Sequence, residues 1–86
     1  MDRAISMRQT IVTANERDEF RERARRSQAH YTGQGCQYWL FEEASLAGAY
    51  LEFFEASDRD KLVRAHRDAP HPVNESARMY IEVKLS

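Results

Sequence analysis

An α+β fold is predicted for this chain, and three observations predict it. Four strand-like runs alternate with two helix-like stretches over 86 residues. The last run, Arg78 to Leu85, puts Met79, Ile81, Val83 and Leu85 on one side and Arg78, Tyr80, Glu82 and Lys84 on the other. That is the two-residue period of a half-buried strand. The second helical stretch opens on a capping pattern and stops at Pro70, because the residue before a proline is disfavoured in the helical region. The order β-α-β-β-α-β specifies a ferredoxin-like arrangement, an antiparallel four-stranded sheet with two helices on one face.

The first strand is expected over Ala4 to Val12, with Ile5, Met7 and Ile11 on one face and Ser6, Arg8, Thr10 and Val12 on the other. Thr13 and Glu16 have capping-box spacing, so a helix is expected to open at Thr13. Acidic residues lead it (Glu16, Asp18, Glu19) and arginines trail (Arg23, Arg25, Arg26), an order that suits the helix dipole. Its apolar stripe, Phe20, Ala24, Ser27 and Tyr31, is thin but sufficient to lie on a sheet. Gly33 and Gly35 stop it. The run Cys36 to Glu43 is apolar on both faces, with Tyr38 and Leu40 pointing one way and Trp39 and Phe41 the other. Ala44 to Gly48 makes a hairpin connection to a third strand, Ala49 to Glu55. Ser57 or Asp58 caps the second helix, whose sheet-facing residues are expected to be Leu62, Val63 and His66, with Ala69 following. His71 to Ser76 reads as a loop.

The length predicts a single domain over residues 1–86, short enough to need a stabilising device beyond its own core. Cys36 is the lone cysteine, which rules out an internal disulfide and fits a small buried residue in a reducing compartment. No tight Cys/His cluster suggests a structural metal. Self-association is the device left. A sheet with helices on one face leaves either Trp39 and Phe41 or Tyr38 and Leu40 uncovered, and pairing two bare faces would bury them. The net charge of −1 offers no field to draw nucleic acid or anionic lipid. No run suits a signal peptide or a membrane span, so a cytoplasmic protein is expected.

The stretch GQGCQYWLFEE through AGAYLEFFEASDRDKLVRAHRDAPH resembles the antibiotic biosynthesis monooxygenase domain family, of the dimeric α/β barrel superfamily. The resemblance rests on Gly35-Cys36 opening the second strand, the aromatics Tyr38-Trp39, Glu55 ending the third strand, His66 late in the next helix, and Pro70-His71 after it. It implies a homodimer whose sheets close into a barrel, with a pocket between helices and sheet. Several relatives oxidise aromatic substrates with dioxygen and without metal or flavin, so no cofactor is expected. Ala56 and Ser57 stand where active members commonly carry a tryptophan. The asparagine that haem-degrading relatives hold in the first strand has no counterpart in Ala4 to Val12, and haem degradation is not expected.

His66 is the candidate catalytic residue, since its ordinary pKa lies near neutrality. The competing reading is a histidine satisfied by the backbone or Glu55 in the helix–sheet seam. Tyr31, Tyr38, Trp39, Tyr50, Phe54 and His71 are candidate substrate contacts, with Trp39 also suited to sheet or interface packing and His71 to a surface loop. His66 and His71 are poorly spaced as a metal pair. Arg8 and Arg78 could meet an anionic group, or be neutralised by Glu52 or Glu82. The expected function is cofactor-independent, monooxygenase-like action on a small aromatic or enolic compound. The alternatives are a non-catalytic dimeric small-molecule-binding protein and a purely structural dimer with a filled seam.

Overall fold

The computed structural model describes residues 2–71 and 78–85. Strands β1 (Ala4–Ile11), β2 (Gln37–Glu42), β3 (Ala49–Ala56) and β4 (Met79–Ile81) form one sheet in the order β2-β3-β1-β4. Every neighbouring pair is antiparallel. Helices α1 (Arg17–Gly33) and α2 (Arg59–Arg67) are the two crossovers, so the β-α-β-β-α-β ferredoxin-like fold is the observed one.

The register sorts side chains into two faces. Ala4, Ser6 and Arg8 lie opposite Ala56, Phe54 and Glu52, and Tyr38 and Leu40 opposite Phe54 and Glu52. These residues meet the helices. Trp39 and Phe41 are therefore the uncovered pair, sharing the other face with Met7, Leu51 and Phe53. The main core gathers Tyr31, Tyr38, Phe54, Leu62 and Ala65 with small residues, and a smaller cluster joins Val12, Phe20 and Tyr50. Ala4 and Ala56 face each other and are buried in the same core cluster as Leu62 and Ala65 of α2. With only methyl groups at those strand positions, α2 can sit close to the sheet.

Two turns explain where α1 and the hairpin end. The α1 C-terminus closes with Cys36 N–H donating to the Tyr31 carbonyl at 2.8 Å and Gly35 N–H to that of Thr32 at 3.0 Å. This is a Schellman pattern, and Gly35 takes the left-handed conformation it requires, φ 76°. Gly48 sits at φ 88°, where a Cβ would come within 2.3 Å of the Val12 carbonyl oxygen, so only glycine fits.

Three sequence expectations need correction, and the choice between two caps is decided. The Thr13 capping box does not form: a 3₁₀ turn, Ala14–Glu16, precedes α1, and the Thr13 hydroxyl donates to Asn15 Oδ1 at 2.8 Å instead. A neighbouring amide competes well with a backbone cap for a short hydroxyl. Of Ser57 and Asp58, it is Asp58 that caps α2, accepting from Lys61 N–H at 2.9 Å. On α2 the buried residues are Leu62, Ala65 and His66, while Val63 is exposed. Small Ala65, rather than the larger Val63, occupies the close helix–sheet contact. The last strand is short: only Met79–Ile81 pairs with β1, Met79 packs on the core, and Val83 and Leu85 are exposed. Of the expected loop from His71 to Ser76, only His71 is among the described residues.

Candidate active site in the helix–sheet seam

His66 is brought to the sheet by the spacing of α2, three and four residues beyond Val63 and Leu62. Its ring is 8% exposed, and both nitrogens are engaged. Nε2 lies 2.7 Å from Ser6 Oγ on β1, and Nδ1 lies 2.6 Å from Tyr31 Oη on α1. A neutral imidazole has one donor and one acceptor nitrogen. The phenol is the stronger acid of the two hydroxyls, so the arrangement that suits all three groups has Tyr31 O–H donating to Nδ1 and Nε2–H donating to Ser6. Burial, helped by the nearby charge of Arg8 and by His30, lowers the His66 pKa to about 4. The imidazole is neutral at physiological pH. Burial also pushes the Tyr31 phenol well above its ordinary value.

Aromatic rings wall this histidine. Phe54 meets it nearly edge-on at 4.8 Å between centroids, and Tyr31 at 5.4 Å. Tyr38 stacks on Tyr31 at 5.9 Å. Beside them, Glu52 is 3% exposed and is the hub of a second polar group. It accepts from Arg8 Nε at 2.7 Å and from Tyr38 Oη at 2.6 Å. Burial of Arg8 opposes its charge, but the hydrogen bond and charge of Glu52 outweigh that and raise its pKa. Burial and then Glu52 raise that of Tyr38 strongly. Arg8 also reaches the His71 carbonyl at 3.4 Å and lies over the Phe54 ring. A buried carboxylate held this way is paired on both oxygens, which is what makes its burial tolerable.

Beside the Glu52 group, the void lined by Arg8, Glu52 and His71 is about 10 Å³, the size of one water. His71 Nε2 is buried at its edge with no hydrogen-bond partner among the described residues. Burial and the arginines 23, 26 and 8 lower the His71 pKa.

Of the residues expected at the site, His66, Tyr31, Tyr38 and Phe54 come together. Tyr50 stacks instead on Phe20 at 4.6 Å, in the smaller cluster. Trp39 lies on the uncovered face, against Phe53 at 5.6 Å. His71 contacts the site through its backbone and the Arg8 side chain. Glu55, which with the backbone was the partner of His66 in the competing reading, bonds Arg3. Strand alternation puts it on the opposite face from Phe54. Ser6 was missed by sequence reasoning. Its signal was a small hydroxyl on a strand position that alternation turns towards the helices.

Among the described residues no group of three or more His, Cys, Asp or Glu side chains could hold a metal ion, and no helix is long and apolar enough to cross a membrane. The fold and the seam define a ferredoxin-like α+β protein with two helices over a polar-aromatic centre. No protein-family model and no curated protein matches the sequence. Among solved structures, the chain is similar to Rv0793 from Mycobacterium tuberculosis, with a TM-score of 0.56 and 15% identity over 100% of this chain and 97% of that one. At that identity the likeness is one of fold.

Proposed function

We propose that this chain works as a homodimer on a small phenolic or enolic compound held between helices and sheet, in the manner of the antibiotic biosynthesis monooxygenase family it resembles. His66 takes the substrate proton, and no metal or flavin is used. The observation that carries this reading is a neutral, buried imidazole bonded to two hydroxyl groups, Ser6 Oγ and Tyr31 Oη, inside an aromatic wall. A substrate hydroxyl displacing one of them would meet a base and rings to stack on. Once deprotonated, such a compound is electron-rich enough to reduce dioxygen itself. A substrate CH₂ becomes a carbonyl, one oxygen atom enters it, and the other leaves as water with the two hydrogens.

The homodimer is supported by the uncovered face. Met7, Trp39 and Phe41 are 38%, 40% and 53% exposed there, a contiguous apolar patch of the kind that marks an interface. Replacing Trp39 and Phe41 together by glutamate is expected to give a folded monomer where the parent sediments as a dimer. A parent that sediments as a monomer would remove the dimer from this reading.

The burial of His66 favours a second reading. At 8% exposure, with both ring nitrogens bonded and a pKa near 4, His66 is a satisfied and weak base, as suits a non-catalytic binding protein. Oxygen uptake with a panel of quinols and anthrone-like enols separates the two. Uptake that falls at least tenfold in His66→Ala supports the enzyme. Thermal stabilisation by the same compounds without uptake supports the binding protein and ends the catalytic role of His66.

A further inference from the structure

Away from His66 an open groove runs between α1 and the edge strand β2, with a volume of about 470 Å³. One wall is a row of donors on α1: Arg21, Arg25 and Gln28, spaced i, i+4, i+7 and so aligned on one helix face. Ala24 lies between them and leaves room at the floor. The opposite wall is apolar, built from Trp39 and Leu40 of β2, with Tyr38 and Tyr50 completing it. No acidic side chain lines the groove among the described residues.

We propose that this groove is a binding site for a small aromatic carboxylate, with Arg21 and Arg25 on the carboxylate and the ring against Leu40, next to Trp39 at the strand edge. It goes beyond the reading of His66 and requires no chemistry there. Arg21 is already aimed: its Nε donates to Tyr50 Oη at 3.4 Å, and Tyr50 is fixed by its stack on Phe20. That bond uses Nε alone, and a guanidinium fork matches a carboxylate. Arg25 NH1 meets Glu22 at 2.6 Å, but both side chains are more than half exposed, so the pair is weak and one nitrogen of the fork is all it engages. The volume lies within the range of small-molecule sites. The polar groups converge from one side only, which selects a ligand with one charged end and one apolar end.

Trp39 is the single tryptophan, so its fluorescence reports on the groove directly. The probes are benzoate and its neutral counterpart benzamide, with calorimetry as a second readout. Benzoate is expected to change Trp39 emission saturably, and benzamide to bind about 10- to 100-fold more weakly, the range of a charge-assisted hydrogen bond. Arg21→Gln combined with Arg25→Gln is expected to weaken benzoate by a similar factor while leaving circular dichroism unchanged. Binding is read without turnover, so the result does not depend on whether oxygen is consumed. No saturable response to benzoate, equal affinity for benzamide, or parental affinity in the folded double variant would each overturn the proposal.

Discussion

On the helix side of the sheet, polar groups are buried and paired; on the other side, apolar groups lie open. Ser6, Glu52 and His66 are each under a tenth exposed, and each has a hydrogen-bond partner. Phe41, Trp39 and Ile11 are 53%, 40% and 74% exposed, across the thickness of the same strands. The apolar core lies under the helices, as in a typical soluble sheet; what departs from that pattern is the set of paired polar groups buried within it and the large apolar groups left open outside. The departure separates two tasks. The helix side carries a polar-aromatic centre whose members each depend on another's position. The open side carries exposed apolar groups, with its ion pairs, Arg3 to Glu55 and Glu82, at one end.

Phe53 and Phe54 test this contrast most sharply, being adjacent on β3 and pointing to opposite faces. Phe54 is 0% exposed and touches Tyr31, Tyr38 and His66. Phe54→Ala is expected to cost about 3–5 kcal/mol in denaturant unfolding, enough to unfold much of a small domain. Phe53→Ala, measured at a protein concentration where the chain is monomeric, is expected to cost about half as much or less, because its ring is only partly covered. Equal costs would erase the distinction between the faces.

The second effect is a pH dependence that belongs to the helix side alone. The folded-state pKa of His66 is lowered from 6.5 to about 4, so the unfolded chain binds the extra proton first. His66 therefore contributes stability fully above pH 6.5. That contribution falls as the pH drops from 6.5 towards 4, and is gone below. Its full size is on the order of 3 kcal/mol. His66→Gln is expected to be flatter than the parent between pH 6.5 and 5, above the range where carboxylates dominate. Parallel curves for parent and variant would mean that His66 is not desolvated in the folded protein.

The order of elements and the two faces of each strand were legible because alternation is a local property. So was the choice of candidates for the core: Tyr31, Tyr38 and Phe54 fall where strand and helix periods turn them inward. The partners of His66 were not, because Ser6 and Tyr31 stand 60 and 35 residues away in the chain. Only the pairing of β1 with β3, and the packing of both helices over it, brings the three together. Tyr50 lies apart from His66 for a related reason. Its face was readable, but its distance along the strand from His66 depends on where α1 crosses, and there Phe20 takes the ring.

The smallest effect concerns how the helices that close the seam begin. Both starts carry a capping pattern in sequence, yet only Asp58 places a side-chain oxygen on a backbone N–H, that of Lys61. Thr13 spends its hydroxyl on Asn15, and the Glu16 N–H is taken by the Thr13 carbonyl in a 3₁₀ turn. Asp58→Ala is expected to cost about 1 kcal/mol, the usual worth of a helix cap. Thr13→Ala is expected to stay within about 0.5 kcal/mol, as for a surface change away from any special feature. Loss of the α2 cap should also raise amide exchange at the Leu62 end of the helix, next to His66, while the Thr13 change leaves α1 exchange as it was. A Thr13→Ala cost as large as that of Asp58→Ala would show that the capping box forms in solution after all, and that the 3₁₀ turn is not how α1 starts.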